Sequence, residues 1–297
     1  PWFHPVNYAT GPDGALYVAD FYRRFVEHPD YIPGPLRAQV PWRTGAVHGR
    51  LWRIKPKGAL LKPADARPSL SRASTVELVK CLGHPNGWWR DTAQRLLLER
   101  RDPSAIPLLK SEIANRKSQI PWARLHALWT LDGLQALDEQ SLLRALRDKQ
   151  PRIREHAVRL SESFLARNVR GGSPRPPKFK LPKELSRLAK DSDARVLLRL
   201  ALTATYVPSP ARLEILIALA QRGVENPWQS AAILSSLGWE SWPFLKRLLK
   251  QEPRWLTAPT VAQNDFLEKV GQLVAARHSD SELAEAVARL RGSSEQP

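Results

Sequence analysis

Five segments of this chain begin alike. NGWWRDTAQRLL starts at residue 86, IPWARLHALWTL at 120, QPRIREHAVRLS at 150, SDARVLLRLALT at 192 and NPWQSAAILSSL at 226. The steps between them are 34, 30, 42 and 34 residues, and the longest contains NVRGGSPRPPKFKLPK, a basic Pro/Gly insert at 168–183. A period in the thirties that carries a helix pair marks an α-solenoid, in which each pair buries its apolar stripe only by stacking on the next.

The stripes sit at helical spacing: Trp89, Ala93, Leu96 and Leu97 in one copy, and Ile153, Ala157, Leu160 and Phe164 in another. Shorter helices precede them, such as Ile106, Leu109 and Ile113, or Leu213, Leu216, Ile217 and Ala220. With WPFLKRLLKQ and APTVAQNDFLEKVGQLVAAR as the last pair, the array has about six. SELAEAVARLRG then reads as a capping helix, with Ser281 as N-cap and Gly292 at its end. Proline or Asx-Gly stops one helix and starts the next, since proline at the first helical position loses no hydrogen bond. The bulky residue just inside (Trp89, Trp122, Ile153, Trp228) is expected to fill the seam between neighbouring pairs.

Residues 1–57 follow another period. In GPDGALYVADFY a Pro12-Asp13-Gly14 turn precedes alternation of Leu16, Val18 and Asp20 with Tyr17, Ala19 and Phe21. GRLWRI at 49–54 is a second strand candidate. The long loop between them covers or lines something. Two strands cannot stand alone in water, so this segment needs further sheet. GALLKPADARPSLSR at 58–72 reads as a linker. The expected organisation is therefore a β segment at 1–57, a linker at 58–73, an α-solenoid at 74–292 and a tail at 293–297, mainly α in class.

Composition narrows the chemistry. No stretch approaches the roughly 20 apolar residues of a membrane span, and PWFHPVNYATGPDG is not a signal peptide. The chain has no Met, which suggests a piece of a longer protein, so the lack of an export signal does not fix a compartment. Cys81 is the sole cysteine, which leaves no internal disulfide, no cysteine-based zinc site and no C-x-x-C-H haem attachment. Its place beside Leu78 and Leu82 suits a small buried hydrophobe. No P-loop, G-x-S-x-G, H-E-x-x-H or G-x-G-x-x-G occurs. A net charge of +17, from 46 Lys and Arg against 29 Asp and Glu, favours an anionic partner such as nucleic acid, a phospholipid surface or an acidic protein. The same charge also suits the solvated faces of many helices. His126 and His156 occupy equivalent places in successive repeats, with His84 and His278 elsewhere, as repeat descent would leave them.

NYATGPDGALYVADFY, EHPDYIPGPLR and HGRLWRI together resemble the last blade of the β-propeller in the membrane-bound dehydrogenases of planctomycetes and verrucomicrobia. Those proteins are similar to the glucose and sorbosone dehydrogenases that use pyrroloquinoline quinone. STVELVKCLGHPNGWWRDTAQRLLLERRDPSAIPLL is similar to the HEAT-like repeats that follow their propeller. The resemblance covers the whole chain, and it implies an exported, periplasmic or envelope-associated oxidoreductase built from modules. Here the chain would supply the propeller's end and the helical array, with the missing blades as partners and a protein docked on the array. Most of the propeller and the haem motif that ends many members are absent from this sequence.

The resemblance carries no established catalytic residues to this chain. Positions matching its motif are Asp20, Tyr22, His28, His48 and Arg50. At a propeller mouth, His28 and His48 could take a substrate hydroxyl proton, while Asp20, Tyr22 and Arg50 could hold a quinone cofactor. Alternatively, Asp20 and Arg50 satisfy turn backbone groups and the histidines are polar loop residues. Asp13 and Asp20 make a poor calcium site, lacking a D-x-D pattern.

Overall fold

The structure is a computed structural model that describes residues 2–26, 28–57, 69–115, 120–169 and 179–294. Most of the linker at 58–73, the centre of the basic insert and residues 295–297 lie outside the described residues. The chain is mainly helical, with a three-stranded antiparallel sheet near its N-terminus. It divides into two compact units, Pro1–Ala105 and Ile106–Pro297.

In the first unit, β1 (Pro5–Thr10), β2 (Leu16–Asp20) and β3 (Arg50–Ile54) pair in that order. Val18 sits opposite Tyr8 on one side and Trp52 on the other. The Pro-Asp-Gly signal is the hairpin turn between β1 and β2. Gly11 N–H reaches Ala15 O at 2.9 Å, and Gly14 takes φ +75°, where a side chain would be strained. β1 carries no sequence signal of its own, because all six of its residues are exposed and nothing forces an apolar alternation. Among its described residues the long β2–β3 loop holds a 3-10 turn, Pro29–Tyr31, and a helical turn, α1 (Gly34–Arg37).

The first helix pair, α2 (Thr75–Cys81) and α3 (Gly87–Arg100), belongs with the sheet rather than with the later helices. Asn86, the N-cap of α3, donates from Nδ2 to Gly11 O at 2.9 Å and Pro12 O at 3.1 Å, and Trp89 Nε1 donates to Pro12 O at 3.0 Å. The hairpin tip is thus anchored to the helix start, and the unit boundary falls after α3 instead of in the linker. Ser74 and Glu77 form the reciprocal capping box of α2. Cys81 is partly buried, and that burial, with Glu77 nearby, raises its thiol pKa.

The second unit is a two-layered stack. It runs through α4 (Ala105–Ala114), α5 (Pro121–Gly133), α6 (Glu139–Ala145), α7 (Pro151–Val169), α8 (Leu181–Arg187), α9 (Ala194–Thr203), α10 (Ala211–Gly223), α11 (Pro227–Leu237) and α12 (Ser241–Gln251). A single turn, α13 (Arg254–Thr257), leads to α14 (Val261–Ala275) and α15 (Asp280–Ser294). α5, α7, α9 and α11 pack side by side, while α6, α8, α10 and α12 form the other layer, closed by α14 against α12. All five expected helix starts are present. The capping helix differs: it begins at Asp280 and runs through Gly292 to Ser294, with Leu283 N–H bonded to Ser279 O, so Ser281 is inside the helix rather than its cap.

The seam residues also require correction. Trp228 is 76% exposed and does not fill the space between pairs, and Trp122, at 39%, is only partly covered where Ile153 is 1% exposed. Aligned on the first helical residue (Gly87, Pro121, Pro151, Ala194, Pro227), the next position holds Trp88, Trp122, Arg152, Arg195 and Trp228; the last four are exposed and Trp88 is partly buried. The position after that holds Trp89, Ala123, Ile153, Val196 and Gln229; the last four are buried, and Trp89 is partly buried. Reading Trp122 and Trp228 as equivalents of Ile153 shifts the register by one residue, about 100° around a helix. The seam is closed instead by aliphatic side chains, including Leu128, Leu131, Ile153, Leu160, Leu200 and Ile233.

Candidate functional site

The end of the sheet gathers four of the five residues singled out from the sequence. Asp20 closes β2, and its side chain is fully buried. One carboxylate oxygen accepts from His4 N at 2.9 Å and Tyr22 N at 3.1 Å. The other accepts from Arg50 Nε at 2.7 Å and Trp52 Nε1 at 3.0 Å. Burial alone would raise the Asp20 pKa, but these donors together hold it well below the usual carboxylate range. Such a group is a poor proton acceptor.

Arg50 is spent on the same network. Its Nη2 also reaches Trp2 O at 3.1 Å, and its guanidinium lies 4.2 Å from the Tyr22 ring centre and 5.0 Å from that of Trp52. Tyr22 turns the chain at φ 42°, stacks on Trp2 at 5.2 Å and meets the exposed His48 ring at 5.5 Å. Gly45 makes that approach possible, since a Cβ there would stand 2.5 Å from Tyr22 O.

His28 does not join this cluster. It caps the Pro29–Tyr31 turn, with Nδ1 accepting from Asp30 N at 3.3 Å, and packs beside Tyr31. Asp13 is likewise absorbed by its own surroundings, accepting from Ala15 N at 3.0 Å, Tyr17 Oη at 3.1 Å and Arg53 Nε at 2.6 Å. Against the opposing effect of burial, these bonds lower its pKa. Among the described residues no group of three or more His, Cys, Asp and Glu side chains could hold a metal ion.

The cluster does not fit a quinone cofactor. Its buried carboxylate is saturated, two nitrogens of its arginine are already engaged, and the arginine is sandwiched by aromatic rings. Trp2, His4 and Trp52 complete the cluster, although sequence reasoning passed over them. The aromatic-rich opening PWFHP was the available signal.

In the second unit the chemistry lies in links between helix pairs. Arg124 on α5 holds Asp148, ahead of α7, through Nε at 2.8 Å and Nη2 at 3.2 Å. One repeat on, Arg154 holds Asp191 through Nε and Nη2, both at 2.7 Å. Each carboxylate also accepts a backbone N–H two residues ahead, from Gln150 and from Asp193, so one side chain sets the turn and ties the repeat. His126 and His156 do not form a matched pair of ligands. His156 Nδ1 accepts from Trp129 Nε1 at 3.2 Å, while Arg159 lies 5.4 Å from the Trp129 ring centre. Burial first, then Arg152, Arg159 and Arg199, lowers the His156 pKa against the pull of Glu155.

A cleft of about 310 Å³ opens between α9, the end of α10 and the start of α11. Leu197, Leu198 and Leu219 contribute its apolar lining, with Arg195, Arg222 and Trp228 also at its surface.

A family model described as a domain of unknown function (DUF7133) matches residues 1–58, the segment that holds the sheet. No curated protein and no solved structure matches the chain. None of the described helices is long and apolar enough to cross a membrane.

Proposed function

We propose that this chain is a non-catalytic part of a modular oxidoreductase, in which the stacked helices act as a scaffold or protein-docking module. The sheet belongs to a larger propeller of the type that uses pyrroloquinoline quinone, in an exported, envelope-associated protein. The observation that carries the reading is the saturation of Asp20 and Arg50 by each other, by Trp52 and by backbone groups. A catalytic carboxylate needs an open lone pair and a pKa near the working pH. Asp20 has neither, so the polar set at this sheet end acts as a structural clasp. Open strand edges and exposed Val6, Tyr8, Leu51 and Ile54 support a sheet that continues into further strands.

The test is a dye-reduction assay on the 297-residue chain, supplied with pyrroloquinoline quinone, calcium and a panel of sugars and alcohols. The expected result is no turnover. Turnover abolished by His48→Ala or His28→Ala would overturn the reading.

A second reading, a basic solenoid that binds nucleic acid or another anionic polymer, is favoured by the +17 charge and by Arg159 and Arg199, which have no carboxylate partner among the described residues. Its signature is an affinity that falls steeply with salt, and a flat salt response would eliminate it.

A further inference from the structure

We propose that the cleft between α9, α10 and α11 docks a short acidic peptide through one large apolar side chain. This rests on the docking reading of the helical array and names the chemistry of the partner. Its starting point is Trp228, which is 76% exposed although its neighbours at the next two positions, Gln229 and Ser230, are buried. Asn226 fixes the helix start by accepting from Trp228 N at 3.0 Å and Gln229 N at 3.2 Å, so the indole is displayed on a rigid first turn. A large exposed aromatic on rigid backbone contributes contact area at little entropic cost.

The floor beside it is aliphatic, from Leu197, Leu198 and Leu219. Gly223 lets the end of α10 pack closely on α11 beside the cleft, since a Cβ there would meet Gln229 Cγ at 2.9 Å. A volume of about 310 Å³ is at the small end for ligand clefts, which run from about 300 to 1,000 Å³. It suits one or two apolar side chains.

The rim is cationic. Arg222 is exposed and has no partner among the described residues, while Arg195 is held by Asp193 at 2.8 Å. Carboxylates flanking an apolar anchor would meet the free Arg222 fork and share Arg195, which gives the peptide its sign. A nucleic acid is disfavoured here, because the floor is aliphatic and a single indole offers no run of stacking platforms.

The experiment titrates the 297-residue chain into fluorescein-labelled Asp-Glu-Leu-Phe-Asp-Glu at physiological ionic strength, read by anisotropy. Asp-Glu-Ala-Ala-Asp-Glu and Lys-Lys-Leu-Phe-Lys-Lys serve as comparison peptides. The acidic apolar peptide should bind, both comparison peptides should be weaker by about tenfold or more, and Trp228→Ala and Arg222→Glu should each cost about tenfold. Circular dichroism of these exposed-site variants should match the parent. No binding, equal binding of either comparison peptide, or unchanged affinity in both variants overturns the proposal. Such a failure, with the dye-reduction assay still silent, retires this cleft and leaves the non-catalytic reading standing, whereas turnover in that assay removes the reading itself.

Discussion

Arg124 and Asp148 close a two-pronged ion pair, Nε to Oδ2 at 2.8 Å and Nη2 to Oδ1 at 3.2 Å, between α5 and the turn that starts α7. Both side chains are almost completely out of water, 6% and 7% exposed. Breaking a buried pair by removing one partner costs about 3–5 kcal/mol, because a two-pronged set of charge-assisted bonds is taken from a desolvated side chain. Asp148→Ala should therefore destabilise the second unit by that amount, seen as a lower urea midpoint. The double variant Arg124→Met/Asp148→Leu should be milder than the sum of the two single changes, because both members of the pair are replaced together.

Asp20 should behave as a clasp when altered. Asp20→Asn keeps the shape but points an amide donor at one of the two places where N–H donors already converge, the His4 and Tyr22 amides or Arg50 and Trp52. An unsatisfied buried donor should open this end of the sheet locally. Amide exchange at His4 and Tyr22 should accelerate by about tenfold or more, while helices of the second unit keep their protection. Unchanged protection at both amides would refute the clasp.

Much of this architecture is legible in the sequence, for reasons that particular residues make plain. The helix starts at 87, 121, 151, 194 and 227 are announced by Asn86, Pro121, Pro151, Asp193 and Pro227, local signals that tertiary context does not override. β1 is not legible, since Pro5, Asn7 and Thr10 carry no period and the strand exists only through its pairing with β2. The orientation of Trp122 and Trp228 is lost to a one-residue register choice that hydrophobicity cannot decide. At the candidate site the sequence brings Asp20, Tyr22, His48 and Arg50 to notice, but Trp2 and His4 enter from ahead of β1 and Trp52 from the middle of β3. The bonding that saturates Asp20 depends on that convergence.

Acid should act on the second unit in two stages. Burial and nearby arginines lower the His156 pKa from 6.5, so the unfolded chain binds the proton first and stability falls as pH drops below about 6.5. Glu184, bonded by Arg147 and opposed by burial, has a lowered pKa, and so does Asp191, where Arg154 and Asp193 N–H outweigh burial. Their stabilisation is complete above the ordinary carboxylate pKa of about 4. It is lost as pH falls through their lower folded values. Urea midpoints measured against pH should show both stages, and His156→Gln should remove only the upper one. A single loss confined below about pH 4 in the parent would contradict the role given to His156.

The corrected register makes opposite demands on residues that look alike in the sequence. Trp228→Ser changes an outward position, 76% exposed, so it should move stability by no more than about 0.5 kcal/mol. Ile153→Ala and Leu128→Ala empty sites that are 1% and 0% exposed, and each should cost about 2–5 kcal/mol through lost burial and a residual cavity. The comparison is read from urea midpoints with unchanged slopes. If Trp228→Ser costs as much as Ile153→Ala, the tryptophan fills the seam after all, and the cleft it borders cannot be an open docking surface.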